Sequence, residues 1–234
     1  MGPRLNLFVD TLRWFVEPAH YRGSDAVQLR LFEHLELAGL AVIIASAIAL
    51  PIGLYLGHTG RLGFVAVNVA NLGRAIPSLA LLAFALPLAF ALGLGLGFWP
   101  TLFSLIPLAL PPILTNAYVG VRAVDREVIE AARGMGMGEL AILRRIELPL
   151  AMPLVLSGTR TAAVNVVATA TLGALVAGGG LGRYIVDGLG LQEYDRLVAG
   201  ALLVAALAIA VEVAFAAFER RVTSPGLRQA PGGL

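Results

Sequence analysis

The sequence predicts an all-α polytopic membrane protein with about five transmembrane helices, and two observations carry that prediction. Of the 234 residues, 58% are hydrophobic and only 14% are charged, whereas globular domains have about 45–50% apolar and about 25% charged residues. The apolar residues also form long runs, each near the roughly 20 residues that a helix needs to cross the hydrocarbon core. A soluble globule would need more polar surface, and a disordered chain would be poorer in apolar residues.

Residues 1–33 differ from the rest because they mix charged side chains with Leu, Phe and Trp. They lack the basic head, apolar run and small-residue cleavage site of a secretory signal. Two interpretations stay open for this segment. It is either an amphipathic stretch at the membrane surface, with Trp14, Phe15 and Tyr21 at the interface, or an untethered tail.

Apolar runs then follow one another along the chain. They place spans at about 35–57, 64–90, 100–121, 153–177 and 197–218. The second run is too long for one untilted span, and we expect a helix break near Pro77. A re-entrant pair of helices in this run, which would make six spans, is the alternative. The connection 183–196 is expected to be polar, and residues 222–234 to be a frayed tail.

The arginines set the expected orientation, because cytoplasmic loops are enriched in basic residues. An external N-terminus places Arg61, the arginines of 122–149 and those near the C-terminus in the cytoplasm. It leaves Arg183 and Arg196 in the external connection before the last span, while the arginines of 1–33 oppose it weakly. The division is an extracytoplasmic or interfacial segment, a membrane domain and a cytoplasmic tail, at 1–33, 34–219 and 220–234.

Missing residue types exclude several chemistries. All 17 basic residues are arginine, and the chain has neither lysine nor cysteine. Without lysine there is no Walker A phosphate loop and no Schiff base, and without cysteine there is no thiol nucleophile or thiolate metal site. A net charge of +2 is too small for a nucleic-acid-binding face. We therefore expect no catalytic residue, no metal site and no nucleic-acid partner.

The charged segment 122–149 is expected to form a helix–turn–helix on the cytoplasmic side. Asp125 is placed to cap a first helix that runs through Arg133. Glycines then interrupt the chain, and a second helix, Glu139–Ile146, should stop before Pro149. The methionines near the turn suit an adaptable binding surface. The segment is therefore either a docking site for a soluble partner or an ordinary amphipathic loop.

One pattern within this segment resembles a known family. The run Glu130-Ala131-Ala132, then Gly136, then Ile146-x-Leu148-Pro149 resembles the EAA motif of ABC importer permeases. In that family the segment couples to a groove of the ATPase subunit. The resemblance implies that small side chains allow close approach and that Glu130 makes a charged or N–H contact. The coupling residues that it implies are Glu130, Ala131, Ala132, Gly134, Gly136, Ile146, Leu148 and Pro149.

The resemblance also implies a complex in the bacterial plasma (inner) membrane. The partners would be two ABC ATPase subunits, a second permease that is identical or homologous, and an extracytoplasmic substrate-binding protein. ATP and Mg would bind to the ATPase subunits, and this chain would bind no cofactor. ATP-driven closing of the ATPases would switch the permeases between inward- and outward-facing forms.

Further stretches are similar to permeases of the osmoprotectant group, which import glycine betaine, choline or carnitine. They are 71–80, 158–162, 170–174, 179–182 and 219–223, within a similarity that runs from about 35 to 228. Methionine-type permeases share part of the pattern, so methionine, another amino acid or an ergothioneine-type betaine is the alternative cargo. A stand-alone secondary transporter is the alternative of another class. It would have only Glu212 as an intramembrane relay acid and would leave 122–149 unexplained.

Two polar stripes inside the predicted spans are candidates for a translocation path. They are Asn68, Asn71, Arg74 and Ser78 in the second span, and Ser157, Thr161, Asn165 and Thr169 in the fourth. Hydrogen bonding between packed helices is the alternative use of such residues.

Other polar residues near the spans have structural interpretations. We expect Arg160 to snorkel towards the cytoplasm, and Glu212 to snorkel or to be protonated rather than to pair with Arg74 or Arg160. The glycines of 178–182 predict a tight turn with closely passing backbones, not a dinucleotide site. His34 is expected to be an interfacial hydrogen-bonding residue, not a metal ligand.

Overall fold

A computed structural model describes residues 3–222, except 62, 64–66, 69–72 and 74, and this described part of the chain is helical without strands. The helices are α1 Pro3–Val16, α2 Val27–Thr59, α3 Ser78–Ala91, α4 Phe98–Arg122, α5 Arg126–Gly134, α6 Glu139–Ile142, α7 Leu148–Thr169, α8 Gly182–Leu191 and α9 Tyr194–Val222. Short 3-10 segments, Pro18–Tyr21 and Ala170–Val176, and a π-helical turn, Leu143–Glu147, join some of them. The predicted path residues Asn71 and Arg74, and the tail from 223, lie outside the described residues.

Three described helices, α2, α4 and α9, are long and apolar enough to cross a membrane. Helix α3 is apolar but shorter. Helix α7 has 22 residues, yet its Pro, Ser, Thr, Asn and Arg residues lower its apolar content. The helices confirm the predicted all-α polytopic class.

A seam of small residues on α2 explains how the core packs. Ala41, Ala45, Ala49, Gly53 and Gly57 recur at every fourth position, so they lie on one face of the helix. All are buried, and this face packs on α4, which is the main neighbour of α2. Small side chains let two helices approach closely, which is the usual source of packing energy between membrane helices.

Helix α4 lies at the centre of the fold and also packs against α3 and α7. Gly158 of α7 sits so close to it that a Cβ there would lie 2.5 Å from the Cβ of Asn116 and 2.7 Å from the carbonyl oxygen of Pro112. The α4–α7 contact therefore depends on a glycine, as the α2–α4 contact depends on its small-residue seam.

The predicted helix break near Pro77 is confirmed. Ala75 is helical, Ile76 and Pro77 are not, and Pro77 has an extended ψ of 134° before α3 begins at Ser78. Ser78 is the first residue of α3, so the break separates it from Asn68 of the same predicted stripe.

The connection 183–196 was predicted to be a polar link, but it contains α8 and the first turn of α9. Its charged residues satisfy one another, as in the Arg183–Asp187 pair at 3.0 Å, so the helix can turn its other face inwards. Tyr184, 1% exposed, packs on α9, where a Cβ at Gly200 would lie 2.7 Å from the Cβ of Tyr184. The many charged residues of 183–196 predict a polar link, and they give no indication of the buried face of this amphipathic helix.

Of the two interpretations of the N-terminal segment, the untethered tail is wrong. Helix α1 packs against α9. Trp14, 4% exposed, stacks on His20 at 4.2 Å between ring centroids and meets the edge of Tyr184 at 5.2 Å. The opposite face of α1 exposes Phe8, Leu12 and Val16, which suits the amphipathic interpretation; its place at a membrane surface stays a prediction.

Candidate functional site

Helix α5 begins as the sequence predicts. The carboxylate of Asp125 accepts a hydrogen bond from the backbone N–H of Glu127 at 2.9 Å. An N-cap of this type satisfies one of the free N–H groups of the first turn. The helix ends at Gly134, one residue beyond the predicted Arg133.

The turn after α5 depends on Gly136. Its φ is +82°, a left-handed conformation that glycine adopts readily and other residues adopt at a cost. Its N–H donates to the carbonyl of Arg133 at 2.9 Å, and the N–H of Met137 donates to the carbonyl of Ala132 at 3.1 Å. These bonds close the end of α5 and fold the chain back towards α6.

The second helix does not stop before Pro149 as predicted. After α6 the chain forms the π-helical turn Leu143–Glu147 and continues directly into α7. The N–H of Leu148 bonds to the carbonyl of Leu143. Pro149 stands in the first turn of α7, where a proline removes little intrahelical bonding. We call 126–147 the coupling segment, after the role that the resemblance implies. It is continuous with the helix that follows it.

The structure separates the predicted coupling residues by burial. Glu130, Ala131, Gly134, Gly136 and Pro149 are exposed, Ile146 and Leu148 are half-buried, and Ala132 is buried. The expectation that Ala132 approaches a partner is wrong, because only 1% of it is exposed. Neighbouring Ala131 faces outwards on α5 instead.

Three large apolar side chains stand out from this segment. Val128 of α5, Met135 of the turn and Leu140 of α6 are 44%, 76% and 58% exposed. Val128 and Ala131 are three residues apart on α5, and Met135 follows four residues later, just beyond the end of the helix, so the three point to one side. We call Val128, Ala131, Met135 and Leu140 the apolar docking face. Exposed apolar groups of this kind at a polar rim mark interaction sites.

Charged contacts hold the rest of the segment in place, and no local sequence pattern predicts most of them. Arg133 donates to both oxygens of Glu139, from Nε at 2.9 Å and from a terminal nitrogen at 3.0 Å. This pairing lowers the pKa of the Glu139 carboxyl and raises the pKa of Arg133. On the other side of Glu139, its Oε2 lies 3.2 Å from Nε2 of His58, whose Nδ1 lies 2.6 Å from Oε2 of Glu147.

A polar cavity of about 230 Å³ lies beside these contacts, between the ends of α2 and α4 and helix α5. Its lining includes His58, Arg122, Arg126, Glu130 and Glu147. Helix α5 therefore stands away from the membrane helices and makes few direct contacts with them.

The polar stripe of α7 is largely open in this chain. Thr161 and Asn165 are exposed, and Ser157 and Thr169 are half-buried. The hydroxyl of Thr161 donates to the carbonyl of Ser157 at 2.9 Å. The opposite face of α7 is buried against α4. Within the described part of the chain, two of the four stripe residues are therefore left open. Of the second predicted stripe, Asn68 is exposed and Ser78 is half-buried.

Glu212 is ion-paired, contrary to expectation. Nε of Arg160 lies 3.5 Å from Oε1 of Glu212, and a terminal nitrogen of Arg160 lies 3.4 Å from Glu219. Arg160 therefore bridges two carboxylates of α9 instead of only snorkelling. An intramembrane charge needs such partners because the hydrocarbon core cannot solvate it.

At the other end of the molecule, a second group of charged residues ties α2 to α9. Arg30 contacts Asp25 at 2.8 Å and Glu33 at 2.9 Å, and Arg196 of α9 contacts Asp25 at 2.8 Å. Glu33 also accepts the N–H of Gly180 at 2.8 Å. The N–H of Gly178 donates to the carbonyl of Gly173 at 2.8 Å, and a Cβ at Gly178 would lie 2.5 Å from that oxygen. The close backbone approach predicted for 178–182 is therefore confirmed.

His34 makes the expected hydrogen bond, from Nε2 to the carbonyl of Val167 at 2.8 Å. It is 1% exposed within the protein. Among the described residues, no group of His, Cys, Asp and Glu side chains is arranged to hold a metal ion.

Comparisons with known proteins agree with this geometry. Residues 49–224 match the family described as binding-protein-dependent transport system inner membrane component. The carnitine transport permease protein OpuCB of Listeria monocytogenes is 37% identical over 205 residues, covering 88% of this chain and 92% of that protein. The choline transport system permease protein OpuBB of Bacillus subtilis is 35% identical over 200 residues, covering 86% and 90%. The osmoprotectant import permease protein OsmW of Salmonella typhimurium is 31% identical over 220 residues, covering 94% and 100%.

Solved structures show the same fold. An inward-facing structure of the MetNI methionine ABC transporter matches with a TM-score of 0.73 and 24% identity, over 82% of this chain and 94% of that chain. At this identity the likeness concerns the fold alone.

Proposed function

We propose that this chain, which belongs to the family of binding-protein-dependent transport system inner membrane components, moves a small quaternary-amine osmoprotectant across the membrane. It is the permease subunit of an ATP-driven ABC importer and is itself no enzyme. Glycine betaine, choline and carnitine are the proposed cargoes, because relatives that match most of this chain are named for carnitine, choline and osmoprotectant import.

The apolar docking face is the observation that carries the coupling role. It projects from a segment that is capped by Asp125, turned by Gly136 and continuous with α7. A groove of an ATPase subunit would cover Val128, Ala131, Met135 and Leu140, and Glu130 beside them would meet a polar group at its rim. The continuous connection to α7 would carry a movement of the ATPase into the membrane.

The open stripe of α7 supports a translocation path shared with a second permease. Polar side chains in a span face either water or protein, because lipid cannot satisfy them. Thr161 and Asn165 are exposed in the single chain, so a path between two permease copies would give them water and substrate. Whether the second permease is identical or homologous, the same face of α7 would line the path.

The arrangement of the helices supports an external N-terminus. The ends of α2, α4 and α9 meet the coupling segment or lie at its side of the molecule, whereas α1 and α8 contact the start of α9. A cytoplasmic coupling segment then puts α1 and α8 outside, where a substrate-binding protein would deliver its cargo, and the C-terminus inside. Five passages of the chain satisfy this arrangement.

Replacement of an exposed apolar residue tests the coupling role. Met135→Asp should prevent co-purification of the ATPase subunits and abolish substrate-stimulated ATP hydrolysis in nanodiscs, while the permease still inserts. Leu189→Asp, at an apolar position on α8 that is also well exposed (64%), is the matched control and should retain the ATPase. Full ATPase binding by Met135→Asp would contradict the docking face.

Cargo is tested in the same nanodiscs with the cognate binding protein. Glycine betaine, choline or carnitine should stimulate ATP hydrolysis, and methionine should not. Stimulation by methionine alone would overturn the cargo assignment. Uptake by this chain without any ATPase would overturn the importer assignment in favour of a secondary transporter.

A further inference from the structure

Helix α2 ends at the coupling segment, and one side chain of its last turn makes the contact. Only 12% of the side chain of His58 is exposed. Its Nδ1 lies 2.6 Å from Glu147, 89 residues further along the chain, and its Nε2 lies 3.2 Å from Glu139. A protonated imidazole donates at both nitrogens, so it can satisfy both carboxylates at once.

These contacts belong to a longer chain of charged groups. Arg133 of α5 holds Glu139 of α6, Glu139 contacts His58 of α2, and His58 contacts Glu147 at the start of α7. Glu147 is 2% exposed, and a buried carboxylate is costly unless a partner satisfies it. His58 is the partner that the structure provides.

The position of His58 connects this network to the membrane core. The preceding Gly57 packs so tightly on α4 that a Cβ there would lie 2.7 Å from the Cβ of Val121 and 3.0 Å from the carbonyl of Tyr118. The last turn of α2 therefore cannot move without α4. Helix α5 follows α4 through residues 123–125, but the 230 Å³ cavity separates it from the end of α2. Among the described residues, the charged contacts of His58 therefore connect this segment to α2.

We propose that His58 is a positioning residue that transmits movement of the coupling segment to the α2–α4 helix pair, through Glu139 on one side and Glu147 on the other. The inference rests on the proposed coupling function. Without His58 the segment would still bind the ATPase through its apolar docking face. Its movement would reach the membrane helices only along the chain, through residues 123–125 into α4 and through the π-helical turn into α7, and ATP would be hydrolysed with less transport.

The test is the number of cargo molecules imported per ATP hydrolysed, measured in proteoliposomes with the ATPase subunits and the loaded binding protein. His58→Gln should lower this ratio by about tenfold, the scale of one hydrogen bond to a charged group, while ATPase co-purification stays at the wild-type level. His20→Gln is the control and should keep the ratio, because His20 lies near the N-terminus, where it contacts Glu17 at 3.4 Å and stacks on Trp14. A ratio within about twofold of wild type in His58→Gln would overturn the proposal.

Three further variants separate an effect on transmission from an effect on folding. Glu139→Gln breaks the chain at a side chain that is 56% exposed, so it should lower the ratio even if a change at buried His58 or Glu147 impairs folding. Glu147→Gln and the double variant His58→Gln/Glu147→Gln complete a cycle, and the two losses should be less than additive because both break one link. Additive losses, or an unchanged ratio in Glu139→Gln, would overturn the proposal.

Import by the wild-type complex distinguishes a failure of the proposed function from a failure of the proposed role of His58. If it imports none of the tested cargoes, the proposed function fails and the role of His58 fails with it. If it imports them and His58→Gln does so with equal efficiency, the proposed function stands and only the role of His58 fails.

Discussion

At the residue scale, Tyr184 shows how burial tunes one titratable group outside the membrane-spanning helices. Its hydroxyl donates to the backbone carbonyl of Asp25 at 2.5 Å. Burial, helped by the negative charge of Asp25, raises the pKa of the phenol to about 12. A raised pKa means that the folded state favours the neutral phenol, so this contribution to stability is complete below pH 10. It is lost as the pH rises from about 10 to about 12.

Tyrosinate absorbance checks this expectation. In a pH titration of the folded protein, Tyr184→Phe should remove a component that ionises near pH 12, and it should flatten the loss of thermal stability between pH 10 and pH 12. Tyr194→Phe, at a position 53% exposed, is the control and should leave that late component in place. Removal of an early component by Tyr184→Phe would contradict the burial argument.

The residues that sequence analysis placed correctly are those whose role is local. Asp125 caps α5 because a cap needs only the next few N–H groups. Ala132 is buried and Ala131 is exposed because of the tertiary surroundings of α5, and the motif does not contain that information. The His58–Glu147 contact joins positions 89 residues apart, and no spacing pattern marks such a pair.

At the element scale, the small-residue seam of α2 makes a direct prediction. A Cβ at Gly53 would lie 2.8 Å from both the Cβ of Ala117 and the carbonyl oxygen of Leu114. Gly53→Ala should therefore destabilise the fold by about 1–3 kcal/mol, because backbone must move to admit the methyl group. Unfolding of the purified protein by heat or by denaturing detergent measures this loss.

Gly39→Ala is the matched control in the same helix. A Cβ at Gly39 meets nothing within 4 Å, so the better helix propensity of alanine should leave stability equal or raise it by up to about 1 kcal/mol. If Gly53→Ala and Gly39→Ala had the same stability, helices α2 and α4 would have to pack less closely than they do in the structure.

Elements were predictable where one local signal dominates. The break at Pro77 follows from the geometry of proline, and the long apolar runs give α2, α4 and α9. The sequence does not predict helix α8, because its charged residues indicate a polar connection although its other face, around Tyr184, is buried. Pro149 predicts the end of the second helix, because no sequence pattern predicts the π-helical turn that leads the chain into α7.

At the scale of the whole molecule, the absence of cysteine from the sequence makes orientation and path measurable with single introduced thiols. The proposed orientation puts Leu191 of α8 outside and Met135 inside, and both are well exposed. A membrane-impermeant maleimide added to intact cells should label Leu191→Cys and not Met135→Cys. Disruption of the membrane should expose Met135→Cys to the reagent, and the reverse pattern in intact cells would invert the topology.

The same approach tests the translocation path, because a water-soluble thiosulfonate reacts with thiolates in water and not with thiols in lipid. Asn165→Cys on the open stripe of α7 should react in the assembled importer, and bound cargo or ATP should change its rate. Ile209→Cys on α9, 65% exposed on an apolar surface, should stay unreactive because lipid covers it. An unreactive Asn165→Cys in every nucleotide state would mean that the stripe bonds to another helix, and the path would have to be sought elsewhere in the permease pair.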